Sequence, residues 1–423
     1  QSLALYYFYD YYRDEYTIAI EVNSFTRNRE SVTTTIPIID ADSHLCEPPD
    51  LWTSRMSSKK WGDAIPHLAM DDRLGMERWI VGGKKLTSVA NWAVAGWPEH
   101  PPSHPPTIEQ ADQGAFYAPE RLERMDEYGI YAQVLYPNLL AFSHHAFTDA
   151  GPAFAEACVS AYNDFLVDFA SPDPNRFILL QSLPFWDVEA SIKEIERGVE
   201  KGFRGVLFIA KPYKLGLPPL SDEHWWPIFA RLEELEWSVN FHTGFAEFSE
   251  ADFKAMLSRK ADRRDYAKLS AVQYLNNAEA IAEVAMSGLA HRFPKLNFVS
   301  VESGFGWIPS FVESMDWQWL NSGAHKAFPE LEMPSFYFRR QIYGMFWFET
   351  ESLRRQIDLF PDNLMFETDF PHPTSLSPGP ASPSDIPSRV ASKFFEGVPE
   401  ELARKILWDN AARVYHVDLP ATV

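Results

Sequence analysis

Cysteine is nearly absent: Cys46 and Cys158 are the only two in 423 residues. That is too few for a disulfide framework, and they do not form a CxxC pair. A reducing compartment suits such a chain. Basic charge is also short, with 38 Lys and Arg against 59 Asp and Glu and a formal net charge of −21. Polyanions are held by clustered cations that displace counterions, so nucleic acid is excluded as a partner. No uninterrupted apolar run approaches the ~20 residues that span a bilayer. No basic segment leading into an apolar stretch and a small-residue cleavage site opens the chain. A cytoplasmic protein without a membrane partner is expected. Glycine-rich phosphate loops are missing too, since neither GxGxxG nor a Walker segment follows an early strand.

What is present is a large apolar fraction, 46% of residues, in short runs that alternate with amphipathic stretches. That alternation is the mark of parallel βαβ units. The runs Ile36–Asp40, Ala132–Tyr136, Phe177–Leu183, Gly205–Ala210, Ser238–His242, Asn297–Glu302, Ile342–Phe348 and Leu364–Thr368 read as strands. Helices are predicted over Pro119–Tyr128, Ala153–Ser171, Val188–Lys201, His224–Glu236 and Asn277–Arg292. Eight strands predict an α/β fold, a distorted TIM (β/α)8 barrel spanning 36–423. Residues 1–35, rich in Tyr near the start, form an N-terminal extension with the pattern of a β-hairpin. Residues 59–107 interrupt the rhythm with a hairpin around Gly82-Gly83 and an aromatic, proline-rich loop. This insertion is expected over the barrel mouth, as a lid or as a packing flap.

Polar residues collect where the strands end. Asp42 and His44 stand two apart, so they share a strand face. His242 ends the strand from Ser238, and Asp369 follows the strand from Leu364. In a (β/α)8 barrel these carboxyl ends form the active site. Asp40 points away from Asp42 and reads as a structural hydrogen-bond partner. His144, His145 and His372 read either as site groups or as ordinary loop residues. Arg339 and Arg340 suit a substrate carboxylate or a surface role, and the segment holding Trp307 and Trp317 reads as helix core.

The segments Ile38-Ile39-Asp40-Ala41-Asp42-Ser43-His44, Phe241-His242-Thr243-Gly244, Val301-Glu302-Ser303-Gly304-Phe305-Gly306-Trp307 and Phe366-Glu367-Thr368-Asp369-Phe370-Pro371-His372 resemble the amidohydrolase superfamily. More narrowly they resemble its amidohydrolase-related branch, which includes aminocarboxymuconate-semialdehyde and resorcylate decarboxylases. The resemblance covers roughly Ile36 to Tyr415. It implies one divalent metal ion, with Asp42, His44, His242 and Asp369 as the metal set. Zinc is favoured by the donor chemistry, with manganese or iron(II) as alternatives. Many relatives carry a histidine where this chain has Glu302. Lys211 sits where a carbamylated lysine would serve a two-metal site, but the one-metal reading is preferred.

The leading expectation is metal-dependent hydrolysis of a small organic, ring-bearing substrate through an activated water. In it Asp369 moves the proton and Glu302 orients water or substrate. The alternatives are non-oxidative decarboxylation of an aromatic or unsaturated acid, and a non-catalytic metal-binding barrel. A homo-oligomer is compatible with the aromatic N-terminal segment and the inserted loop.

Overall fold

A computed structural model describes residues 36–246 and 262–418. The expected N-terminal hairpin lies outside the described residues. Eight strands form one parallel sheet: β1 (Ile39–Leu45), β5 (Ala132–Pro137), β6 (Phe177–Ser182), β7 (Phe203–Leu207), β8 (Ser238–His242), β9 (Phe298–Val301), β10 (Ile342–Phe346) and β11 (Leu364–Phe366), hydrogen-bonded in that order. The ring closes where Ser43 bridges Phe370. There His44 N–H donates to Phe370 O at 2.6 Å and Asp369 N–H to Asp42 O at 2.9 Å. The result is the predicted (β/α)8 barrel, nearly closed.

Every residue of β1, β5, β6 and β8 is buried, as expected for strands covered on both faces. Helices α1 (Ala118–Tyr128), α2 (Pro152–Ala170), α3 (Val188–Gly198), α4 (Trp226–Glu234) and α5 (Ala278–Met286) lie between successive strands. Pro at the first turn of α1, α2 and α4 fits the missing donor there. Gly129, at φ 71°, ends α1 in a left-handed cap that tightens the return into β5.

The first strand starts later than predicted and runs through Asp42 and His44, because Ile36 and Pro37 lack ladder partners while Ile39 pairs with Ala132. β7 is likewise shifted towards Phe203. The helix read over Asn277–Arg292 is broken at Gly288, φ 90°. Trp317 is 67% exposed, so it is not core as the helical pattern suggested. The insertion is more than a hairpin: β2 (His67–Asp71), β3 (Met76–Val81) and β4 (Lys84–Ser88) make a three-stranded antiparallel sheet. Its β3–β4 turn uses Gly82 and Gly83, both at positive φ, which a twisted two-residue hairpin loop requires. No helix among the described residues is long and apolar enough to cross a membrane.

Candidate metal centre

The ends of β1, β8, β9 and β11 bring together Asp42, His44, His242, Glu302 and Asp369. Each histidine is locked by its backbone. His44 Nδ1 lies 3.2 Å from Pro137 O, and His242 Nδ1 lies 2.7 Å from Thr243 O. A carbonyl only accepts, so each Nδ1 carries the proton and each Nε2 presents a lone pair. Those two Nε2 atoms are 2.8 Å apart. Facing lone pairs at that distance repel unless a cation or proton sits with them.

Carboxylates surround the pair. His44 Nε2 is 3.6 Å from Asp42 Oδ1 and 3.6 Å from Asp369 Oδ1, and His242 Nε2 is 3.7 Å from Asp42 Oδ2 and 3.6 Å from Glu302 Oε2. Both Asp42 oxygens are buried with no hydrogen-bond donor among the described residues. Burial first, then Asp369 and Glu302, holds the Asp42 carboxyl well above the usual carboxylate range. Burial also raises Glu302 and Asp369, and it pushes His242 down to about 3, so the imidazole is in the neutral, ligating form. Two neutral imidazole nitrogens and the unpartnered Asp42 oxygens fit a divalent cation, whose charge would ionise Asp42 and separate the lone pairs.

Further groups support the centre. His372 stacks on His44, ring centroids 3.7 Å apart. Asn138 Nδ2 donates to Cys46 Sγ, leaving Oδ1 to accept from His372 Nε2–H at 2.6 Å. His372 Nδ1 then offers a lone pair to Asp369 Oδ1 at 2.9 Å, a contact satisfied by a proton on Asp369. Asp369 Oδ2 accepts from Thr374 Oγ1 at 2.6 Å. Glu302 and Asp369 both hold positive φ, 49° and 57°, a strained backbone that clusters at functional sites.

Arg121, fully buried, donates to Gly114 O, Gln133 Oε1 and His44 O and lies over the Phe370 ring. It thus braces both β1 and the loop after β11. Asp40 accepts from Thr368 N–H, Thr368 Oγ1 and Gln133 Nε2, the structural role its strand face suggested.

Other candidates lie elsewhere. Arg339 donates to Leu359 O and Arg340 to Ala290 O, so neither joins this cluster: both are spent on backbone carbonyls elsewhere. Lys211 Nζ donates to Asn276 Oδ1 at 2.7 Å. Arg121 and Thr374 went unnoticed in the sequence. Arg121 had a signal, because it occupies the buried stripe of α1 with Ala118, Met125 and Tyr128.

A family model described as amidohydrolase matches residues 39–417. The chain belongs to the amidohydrolase family. Gamma-resorcylate decarboxylase from Polaromonas sp. strain JS666 is 26% identical to this amidohydrolase over 316 residues, 70% of this chain and 87% of that protein. The decarboxylase orsB of Emericella nidulans is 38% identical over 99 residues, spanning 23% of this chain and only 27% of that protein. An amidohydrolase structure from Mycobacterium avium subsp. paratuberculosis K-10 superposes with a TM-score of 0.69 at 20% identity, covering 90% of this chain and 99% of that one. A dihydroxybenzoic acid decarboxylase from Polaromonas sp. JS666, with bound manganese and the inhibitor 2-nitroresorcinol, gives 0.56 at 19% identity, covering 91% and 98%. These structures share the barrel fold. Family and fold together make the protein an enzyme of the amidohydrolase superfamily.

Proposed function

We propose that this amidohydrolase-family enzyme is a metal-dependent, non-oxidative decarboxylase of a small aromatic acid. One observation carries the reading: Glu302, whose Oε2 is 3.6 Å from His242 Nε2, lines an aromatic-walled cavity. That space of about 280 Å³ is shared with Tyr274, Trp347, Phe348 and Thr374. Ring-bearing walls with a few polar groups suit a single substituted ring. Hydrolysis, the first expectation from sequence, now has less support than its alternative. It leans on the superfamily's name, whereas three of the four proteins named above carry decarboxylase names.

Asp42, His44 and His242 would hold one divalent cation, with Asp369 at or beside it. When bound, that ion supplies Lewis-acid charge to polarise substrate oxygens. Manganese in the Polaromonas structure favours that metal over the zinc first expected. Asp369 holds the proton that the ring carbon needs. As the bond to the carboxyl carbon breaks, its electron pair stays on the ring and takes the Asp369 proton, and carbon dioxide leaves. Thr374 and His372 fix the Asp369 carboxyl for that transfer. Glu302 borders the cavity and accepts from a substrate hydroxyl.

The insertion at 59–107 walls this mouth in our reading. Trp92 packs against the rings of Phe142 and His372, and the N–H groups of Val94 and Ala95 donate to Pro371 O.

Carboxyl-labelled γ-resorcylate and other hydroxylated benzoates test the proposal, offered to protein reconstituted with manganese or zinc. Labelled carbon dioxide and the decarboxylated ring are expected. Uptake of labelled solvent oxygen without carbon dioxide would turn the assignment back to hydrolysis.

A further inference from the structure

A second, smaller cavity borders the loops that carry Phe142 and Phe245, and nothing in the proposed reaction uses it. Residues at and just beyond the carboxyl ends of β5 to β8 enclose about 20 Å³ of free space, room for one small group. Its walls are mostly carbon, from residues such as Leu140, Phe147, Phe185 and Phe245. His144, Ser182 and Trp186 break the pattern. Their polar atoms, Nδ1, Oγ and Nε1, are each buried without a hydrogen-bond partner among the described residues. His144 and Ser182 are both 6% exposed.

An unpaired buried polar atom costs about 1–3 kcal/mol, and native folds leave few of them. Three on residues lining one apolar cavity need a shared explanation. Ser182 is rigidly mounted: its N–H donates to Asn163 Oδ1 and its carbonyl accepts from Asn163 Nδ2, both at 2.9 Å. The same loops serve the metal centre. Phe142, two residues before His144, packs on the rings of His44 and His242, and Phe245 follows His242 by three residues.

We propose that His144, Ser182 and Trp186 form a subsite for an uncharged oxygen substituent of the substrate, a hydroxyl or a carbonyl. The identity of that substrate rests on the decarboxylase reading. The donor inventory sets the class. Trp186 only donates, Ser182 donates or accepts, and neutral His144 does either according to its tautomer. No Lys or Arg lines the cavity, so a carboxylate there would be buried without a counter-charge. An alkyl or halogen group would leave all three atoms unpaired, and sites built to hydrogen-bond reject such analogues strongly.

Calorimetry on the manganese-loaded protein separates the outcomes, with 2-nitroresorcinol as one probe and the analogue carrying chlorine in place of both hydroxyls as the other. The wild type should prefer the hydroxylated ring by about tenfold or more, one hydrogen bond's worth. Ser182→Ala and Trp186→Phe should each lower that preference severalfold, with bound manganese and thermal midpoint unchanged. An equal preference in the variants, or no binding of either probe to the wild type, overturns the subsite and leaves the cavity to an ordered water. Carbon dioxide release from γ-resorcylate, assayed alongside, judges the reaction separately. Release with unaltered preference sinks the subsite alone, whereas altered preference without release from any acid sinks the reaction and keeps the subsite.

Discussion

The two sides of the barrel mouth are built on opposite electrostatic plans. The ends of β1, β8, β9 and β11 hold Asp42, His44, His242, Glu302 and Asp369 within a few ångströms of one another. The ends of β5, β6 and β7 present Pro137, Ser182, Leu183 and Leu207 to an apolar cavity. On the first side burial raises all three acids, Asp369 raises both Asp42 and Glu302, and two imidazole lone pairs face each other, so the arrangement suits a cation. On the second side no Lys, Arg, Asp or Glu lines the cavity, and three buried polar atoms lack a partner among the described residues. The difference teaches how one mouth would serve two ends in our reading, with one rim to hold an ion and the other to select an uncharged group.

The sharpest way to break this contrast is His242→Ala. It should remove about one equivalent of bound metal and lower turnover on the order of 10⁴-fold, since Lewis-acid charge is worth several kcal/mol. Elemental analysis beside a carbon dioxide assay reads both. Retention of the full metal complement would show that the acidic rim is organised around something else. Asp369→Asn comes next. It keeps an oxygen beside the centre but cannot give up a proton, so kcat should fall about 10³-fold with KM little changed. A loss confined to KM would make Asp369 a binding group.

Stability offers a third comparison. Arg121→Met leaves the carbonyls of His44 and Gly114 and the Gln133 side-chain oxygen without their donor, at about 1–3 kcal/mol each, so at least about 3 kcal/mol in all. Urea unfolding should show that loss. Trp186→Phe, on the neutral rim, removes an N–H that has no partner among the described residues and should cost under about 1 kcal/mol in the ligand-free protein. Equal losses would erase the structural half of the contrast.

Much of this was legible in the sequence because it depends on local pattern. Apolar runs of strand length gave eight strands, and the acid-x-His pair at 42 and 44, His242 and Asp369 stood at strand ends where a barrel gathers its chemistry. What was illegible depends on distance in space. Thr374 donates to Asp369 across a turn, and Asn138, more than two hundred residues away in the chain, accepts from His372. Arg121 looked like any polar helix residue until its stripe proved to be buried. Arg339 and Arg340 stayed open between a substrate carboxylate and a surface role, since a charge pair carries no mark of which carbonyl it will reach. The subsite was least visible, for an unmet Ser, His and Trp are ordinary residues until a fold leaves them without partners.

Glu47 tests the hinge between the two rims. Its carboxylate accepts from the backbone N–H groups of Asn138, Leu139 and Leu140 at 2.9 to 3.2 Å, and so holds the short helix that ends at Phe142 beside both metal-centre histidines. Burial outweighs those bonds and pushes Glu47 from 4.5 up to about 7. The folded value lies above the unfolded one, so the folded protein binds the extra proton between them. The contribution to stability is full below about 4.5 and is lost as pH rises through about 7. That interval corresponds to roughly 3 kcal/mol at most. In Glu47→Gln the titration is gone, while every other group's remains. The difference in unfolding free energy between wild type and variant, measured without metal at pH 5 and pH 8, should therefore move by about 2 kcal/mol in the variant's favour at the higher pH. A difference that does not change with pH would mean that the Glu47 carboxylate ionises as freely in the folded protein as in the unfolded chain, and that the three backbone bonds offset its burial.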